Sequence, residues 1–334
     1  MTDNPNMESR YRVVLVHKER CLIRRGEEEL YCVLAGSLRY KDEIPVVGDY
    51  VEVTVNPYGD SLIRSILPRR TVFCRPDRGG HADGFVKTLQ VQPLVANIDY
   101  VFIITSLNND FSVSRIARYA ATAVAGGAVP VAVLTKADVC ENVAELEAQA
   151  AALSERIEVV SVSAYTGFGL DRLRAYFKPG ATIALLGSSG AGKSTLINTL
   201  AGRDVMRVGE IREVDSKGRH TTTHRELIEV DGVAFIDTPG LRELGMVDAE
   251  AGIQDTFSDI AELIGQCAFS DCTHRTEPGC AIRQALADGT LAPERWEMYA
   301  RLEKENSWSM AKKNELMMNV AMWRRKNSRA NRKR

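Results

Sequence analysis

Thr182-Ile183-Ala184-Leu185-Leu186 runs without a break into Gly187-Ser188-Ser189-Gly190-Ala191-Gly192-Lys193-Ser194, and Thr195-Leu196-Ile197-Asn198-Thr199-Leu200 follows. The first segment reads as a buried parallel strand and the last as a helix. The eight residues between them fit G-x-x-x-x-G-K-[ST]. Strand, loop and helix in that order form a phosphate-binding unit: backbone N–H groups and the helix N-terminus surround the anion. Lys193 neutralises β and γ oxygens, and the Ser194 hydroxyl reaches Mg²⁺. At average composition, with Gly near 7%, the pattern arises by chance in roughly one per cent of chains of this length. A bare Gly-rich turn is therefore a poor account of it.

Around this unit, strand-like and helix-like stretches alternate from Asp99 onward. Strands are expected at Tyr100–Thr105, Pro130–Leu134, Val159–Val162 and Val233–Ile236, with helices at Val113–Ala125 and Val143–Arg156 between them. That alternation predicts an α/β domain with a parallel sheet covered on both faces. Asp237-Thr238-Pro239-Gly240 directly follows a strand about fifty residues after the phosphate loop. Asp237 is placed to hold the Mg²⁺ shell, and the Gly240 N–H to sense a γ-phosphate.

Thr135-Lys136-Ala137-Asp138 also closes a strand. Its Asp can accept two hydrogen bonds from guanine N1 and N2, which adenine cannot supply, so the expected nucleotide is GTP. Most GTPases carry Asn at the place of Thr135, so one hydrogen bond to the base or to the phosphate loop is expected to be missing. Ser163-Ala164, at the end of the next strand, resembles the backbone element that contacts guanine O6. The order is inverted: this reader precedes the phosphate loop. A site outside the carboxyl ends of strands survives such a permutation if the same ends stay adjacent.

Before Arg75 the pattern changes to short alternating runs, including Tyr11–Val16, Leu30–Leu34 and Tyr50–Val55, which predict a small all-β barrel or sandwich. It holds five of the ten Tyr together with Arg24, Arg25, Arg39, Lys41, Arg69 and Arg70. Aromatic faces beside cations suit RNA stacking. Strand Tyr also serves packing alone, and Glu27, Glu28 and Glu29 dilute the charge, so both readings stand.

After Ala249 the pattern is helical. Cys267, Cys272, His274 and Cys280 lie within fourteen residues and match a closed Cys₃His site for Zn²⁺, which would stabilise folding rather than catalyse. A redox or incidental cysteine cluster is the alternative. Cys21, Cys32, Cys74 and Cys140 read as ordinary thiols of a reducing compartment. The segment from Trp323 to Arg334 carries seven cations and no acid, and fits either a solvated tail or a phosphate-backbone contact. With a formal net charge of -1 over 334 residues, no global field draws the chain to nucleic acid. The polar first ten residues and the lack of a long apolar run predict a cytoplasmic protein that makes no membrane contact.

Taken together these motifs resemble the RsgA family of circularly permuted GTPases, and the resemblance covers nearly the whole chain. It implies an OB-fold RNA-binding domain over 1–75, a linker over 76–98, a permuted P-loop GTPase domain over 99–249, and a mainly helical zinc-binding domain with a basic tail over 250–334. It further implies a monomer that binds the small (30S) ribosomal subunit and its 16S rRNA near the decoding region. GTP would be hydrolysed to GDP under stimulation by the subunit, as a late maturation checkpoint. Gly218-Arg219-His220-Thr221-Thr222-Thr223 is similar to the family's first switch. Thr222 would then join Ser194 and Asp237 around Mg²⁺, and His220 would orient the attacking water, with a plain surface histidine as the other reading. Leu241 stands where Ras-like proteins place a catalytic Gln, so slow intrinsic hydrolysis is expected. Gly190 stands where potassium-dependent relatives carry Asn, so no monovalent cation is expected. A P-loop kinase is disfavoured by Asp138 and by the permuted order; a nucleotide-gated RNA-binding module with incidental hydrolysis remains the other class.

Overall fold

The computed structural model describes residues 10–17, 20–40, 43–76, 91–108, 110–206, 226–237 and 249–310. Two compact units emerge: Met1–Phe73 with Pro93–Arg242, and Cys74–Gln92 with Glu243–Arg334. The expected basic tail, the first switch and most of the 76–98 stretch lie outside the described residues. Within that stretch Val91–Ala96 forms strand β7, which pairs with β6 (Val72–Pro76) in a two-stranded sheet.

In the first unit, β1 (Tyr11–Val16), β2 (Cys21–Arg25), β3 (Glu28–Leu34), β4 (Tyr50–Thr54) and β5 (Ser61–Ile66) pair in the order β1-β2-β3-β5-β4. β4 returns to β1 through Tyr11↔Val51 and Arg12↔Tyr50, which closes the barrel. Its interior follows the two-residue period of a strand: Tyr11 and Val13, then Cys21 and Ile23, meet Cys32, Val51 and Ile63. Helix α1 (Gly36–Tyr40) adds Leu38 to the same core.

The α/β part is built from β8 (Tyr100–Ser106), α2 (Val113–Ala125), β9 (Val129–Thr135), α3 (Val143–Ala151), β10 (Glu158–Ser161), α4 (Leu170–Arg174), β11 (Thr182–Gly187), α5 (Lys193–Ala201), β12 (Glu226–Val230) and β13 (Val233–Asp237). β10, β9, β8, β11 and β13 are parallel, and β12 runs antiparallel to β13. Val101–Ser106 and Pro130–Thr135 are buried on every residue, as strands covered on both faces require. Helix α2 has the expected bounds: Ser112 caps it by accepting from the Arg115 N–H, and Ala117, Ala120 and Ala121 let it lie close on the sheet. Helix α3 stops earlier than expected. The Ser154 hydroxyl accepts from Arg156 N–H at 3.2 Å, a local turn that competes with further helix.

From β8 the strands step outward to β9 and β10; β11 then falls on the other side of β8 and leads on to β13. The order therefore reverses between β8 and β11, the place where ligands bind in open α/β sheets. Barrel and sheet are continuous, because β12 pairs with β1 at Glu226↔Leu15. Arg12 of β1 reinforces the joint by donating to Thr182 Oγ1 of β11 at 2.6 Å.

In the second unit, α6 (Glu250–Thr256), α7 (Ser258–Gly265), α8 (Ala281–Asp288) and helical residues 293–310 pack around Phe257, which meets Tyr299 edge-on with ring centroids 5.8 Å apart. Arg295 binds Asp259 through two hydrogen bonds of 2.6 Å and lies over the Phe257 ring.

Candidate nucleotide site and metal centre

β11 ends in the phosphate loop because its last residue must be bare: a Cβ on Gly187 would run into the Ile104 carbonyl of β8. Gly190 and Gly192 hold left-handed φ values of +79° and +89°, which L side chains rarely adopt, and α5 begins directly after Gly192. The Lys193 ammonium donates to the carbonyls of Gly187 at 3.0 Å and Ser188 at 2.8 Å, so it is folded over its own loop. Ser194 lies in the first turn of α5, whose amide dipoles favour an anion. Thr195, next along, is exposed.

The segment expected to read guanine, Thr135–Asp138, reaches the same loop. Thr135 is buried at the end of β9 and its hydroxyl donates to the Ala191 carbonyl at 2.6 Å. Lys136, held at φ +61°, donates through Nζ to the Gly190 carbonyl at 3.0 Å. The loop contact expected to be missing for want of Asn is thus made by the Thr135 hydroxyl. Ala137 N–H donates to the Val162 carbonyl at 3.1 Å, which ties the reader to the segment carrying Ser163 and Ala164. Ser163 is fully buried, and its Oγ accepts from Thr166 N–H at 3.1 Å. Asp138 stands exposed in the short turn Ala137–Val139, open to a base.

Asp237 closes β13, where its backbone pairs with Leu185 on one side and Glu226 on the other. A strand-end carboxylate and a helix-start hydroxyl on adjacent elements are hard oxygen donors of the kind Mg²⁺ takes. His220, Thr222 and Gly240 lie outside the described residues, as does Leu241.

One group at this site carries no sequence motif. Asp110, just past β8, binds the Ser188 hydroxyl of the phosphate loop and pairs with Arg115 at 3.0 Å. Its only signal in the sequence is its position at the order reversal of the sheet.

In the second unit, the ligand atoms of Cys267, Cys272, His274 and Cys280 all fall within 4.8 Å of one another. His274 Nδ1 lies 3.6 Å from Cys267 Sγ and 3.5 Å from Cys280 Sγ. A tetrahedron with Zn–S near 2.3 Å and Zn–N near 2.0 Å has an S···N edge of about 3.5 Å, so the residues fit the ion. The turn between them is built locally. The Glu277 carboxylate accepts from the N–H groups of Thr273 at 2.8 Å and of Arg275 and Thr276 at 3.0 Å. These bonds, with that of the Thr273 hydroxyl, hold the carboxyl well below the usual carboxylate range. Trp296 presses edge-on against the His274 ring at 5.5 Å between centroids.

The barrel cations are mostly engaged. Arg24 pairs with Glu29, Arg25 with Glu28, Arg69 with buried Asp49, and Arg70 with Asp99. Arg39 is exposed, as are Tyr40 and Tyr58, each over nine-tenths accessible; Lys41 lies outside the described residues.

Comparison with known proteins agrees with this geometry. The sequence model of the RsgA GTPase family matches residues 66–247. A protein of Opitutus terrae named small ribosomal subunit biogenesis GTPase RsgA is 43% identical over 316 residues, 89% of this chain and 83% of its own length. One of the same name from Xylella fastidiosa is 45% identical over 268 residues, 79% and 76% of the two chains. The crystal structure of YjeQ from Thermotoga maritima superposes with a TM-score of 0.65 at 28% identity, covering 89% of this chain and 97% of that one. YloQ, described as a circularly permuted GTPase, shares the fold with a TM-score of 0.58. Motif order, sheet topology and these likenesses agree, and the chain belongs to the RsgA GTPase family.

Proposed function

We propose that this protein is a GTP-hydrolysing assembly factor of the small (30S) ribosomal subunit. The observation that carries the nucleotide half is the pair of hydrogen bonds from Thr135 and Lys136 to the phosphate loop, which make base reader and phosphate cradle one site. The names of the relatives support the ribosomal half.

In this reading the phosphate loop from Gly187 to Ser194 and Thr195 orients the triphosphate, Asp138 selects guanine, and the Gly240 N–H senses the γ-phosphate. Ser194, Thr222 and Asp237 would hold Mg²⁺, which would supply positive charge against the charge developing on the leaving oxygens. His220 positions the water, and only when the first switch is ordered on the subunit. Leu241 offers no hydrogen bond to do so, hence slow turnover alone. Tyr40 and Tyr58 with Arg39 supply stacking faces and a cation for 16S rRNA. The factor acts near the decoding region as a late checkpoint, works as a cytoplasmic monomer, and releases GDP on leaving. No described helix is long and apolar enough to cross a membrane. One Zn²⁺ on Cys267, Cys272, His274 and Cys280 holds the second unit together.

The test is the GTPase rate with and without purified small subunits. Strong stimulation is expected; an unchanged rate, with subunit binding retained, would reduce the protein to a nucleotide-gated binder.

A further inference from the structure

A cleft of about 180 Å³ opens where the barrel meets the α/β sheet, walled by Arg10, Arg12, Arg24, Arg25 and Tyr50 of the barrel and by Glu229 of β12. Its floor is made by Gly180–Ala181 and Gly232, which precede β11 and β13. It therefore lies at the amino ends of the strands whose carboxyl ends hold the nucleotide, and is a separate place from that site. At about 30 Å³ per water, the space admits several waters or one phosphate group.

Arginines outnumber carboxylates in this cleft. Arg24 and Arg25 are answered by Glu29 and Glu28, and Glu229 stands in the same wall, but neither Arg10 nor Arg12 makes a direct ion pair among the described residues. Arg12 is the telling one. Its terminal nitrogen donates to Thr182 Oγ1 at 2.6 Å and its guanidinium lies over the Tyr50 ring at 5.1 Å. Its Nε is shut off from solvent with no hydrogen-bond partner. Burial holds this guanidinium below the usual arginine range, even with the carboxylates of Asp99 and Glu229 nearby. A guanidinium fork matches the paired oxygens of a phosphate, and three more arginines ring the opening, a density of positive charge that suits a group carrying up to two negative charges.

We infer that this cleft is a second anion site, taking the phosphate group of an ester bound by Arg10, Arg12, Arg24 and Arg25. The ester belongs either to a free phosphorylated small molecule or to an RNA backbone; the chemistry of recognition is the same.

The experiment uses the full chain saturated with GDP and Mg²⁺, so that the phosphate loop is filled, and measures radiolabelled inorganic phosphate by equilibrium dialysis at constant ionic strength in chloride. Saturable binding of one phosphate per chain is expected, and the double variant R10Q/R24Q should weaken it by about tenfold or more. Arg12→Gln also removes the tie to Thr182, so the outer pair carries the test; circular dichroism and GDP loading report folding of the variant. Displacement of the phosphate by a short single-stranded RNA assigns the site to an RNA backbone, and displacement by ribose 5-phosphate alone assigns it to a free ester. Binding that does not saturate, or that is unaltered in R10Q/R24Q, means an adventitious ion only and overturns the inference. Neither result depends on GTP turnover or on ribosomal subunits.

Discussion

The hydroxyl of Thr135 is joined to the carbonyl of Ala191 at 2.6 Å across 56 positions of chain, and this contact ties the proposed base reader, which comes first in sequence, to the glycine-rich loop that comes later. Both residues are buried, so the bond is made away from water.

Thr135→Val keeps the shape and removes the donor. A buried carbonyl left unpaired costs about 1–3 kcal/mol, so GTP affinity should fall roughly five- to a hundredfold with the fold intact. Thr135→Asn restores a donor and should recover most of the loss. Nucleotide titrations on the three proteins check this; equal affinity for parent and valine variant would show that the loop does not depend on the reader.

Asp138→Asn replaces an acceptor for guanine N1–H and N2–H by an amide that can present a donor. Losing hydrogen bonds to a charged group at about 1.5–3 kcal/mol should lower GTP affinity by at least about tenfold and improve binding of xanthosine triphosphate. Titration with GTP, ATP and XTP is the measurement, and unaltered GTP binding would remove Asp138 from the base site.

Cys272→Ser, or chelation, should loosen the second unit, because thiolates and imidazole packed within 4.8 Å repel or protonate once the ion is gone. Metal content near one Zn per chain, and faster proteolysis between α7 and α8 after chelation, are the expected results. Thiols must lose protons to bind the ion, so metal affinity should fall as pH falls. Unchanged protease resistance in the metal-free protein would contradict a structural role.

His220→Ala should retain GTP and subunit binding, leave basal turnover nearly unaltered, and lose most of the subunit-stimulated rate. Lys193→Ala should instead impair nucleotide binding itself, since its ammonium lies on the Gly187 and Ser188 carbonyls. The ratio of stimulated to basal rate separates them. Full stimulation in the His220 variant would pass the water-positioning role to another group.

How much of this was legible in the residues depends on range. The phosphate loop, Thr135–Asp138 and the four metal ligands are local patterns with fixed spacing, and they stand where that spacing puts them. The barrel strands show the two-residue period, and α2 its capping Ser112. Contacts that join distant segments leave no such trace. Asp110 on Ser188 spans 78 positions and Arg12 on Thr182 spans 170, each a single polar pair in segments whose periodicity is set by the core. The continuity of barrel and sheet through Glu226↔Leu15 is equally silent, because an antiparallel edge pairing asks only for extended backbone.

That continuity has a mechanical consequence. β12 is paired on both flanks, to the barrel through β1 and to the strand of Asp237 through β13, and its first residue, Glu226, comes three positions after Thr223, the last residue of the stretch that resembles the first switch. Slipping by one position would turn every side chain of β12 to the opposite face and break the β13 ladder together with the Leu15 pairing. Tension from the nucleotide end must therefore either move the barrel with the sheet as one body or be absorbed entirely upstream of Glu226.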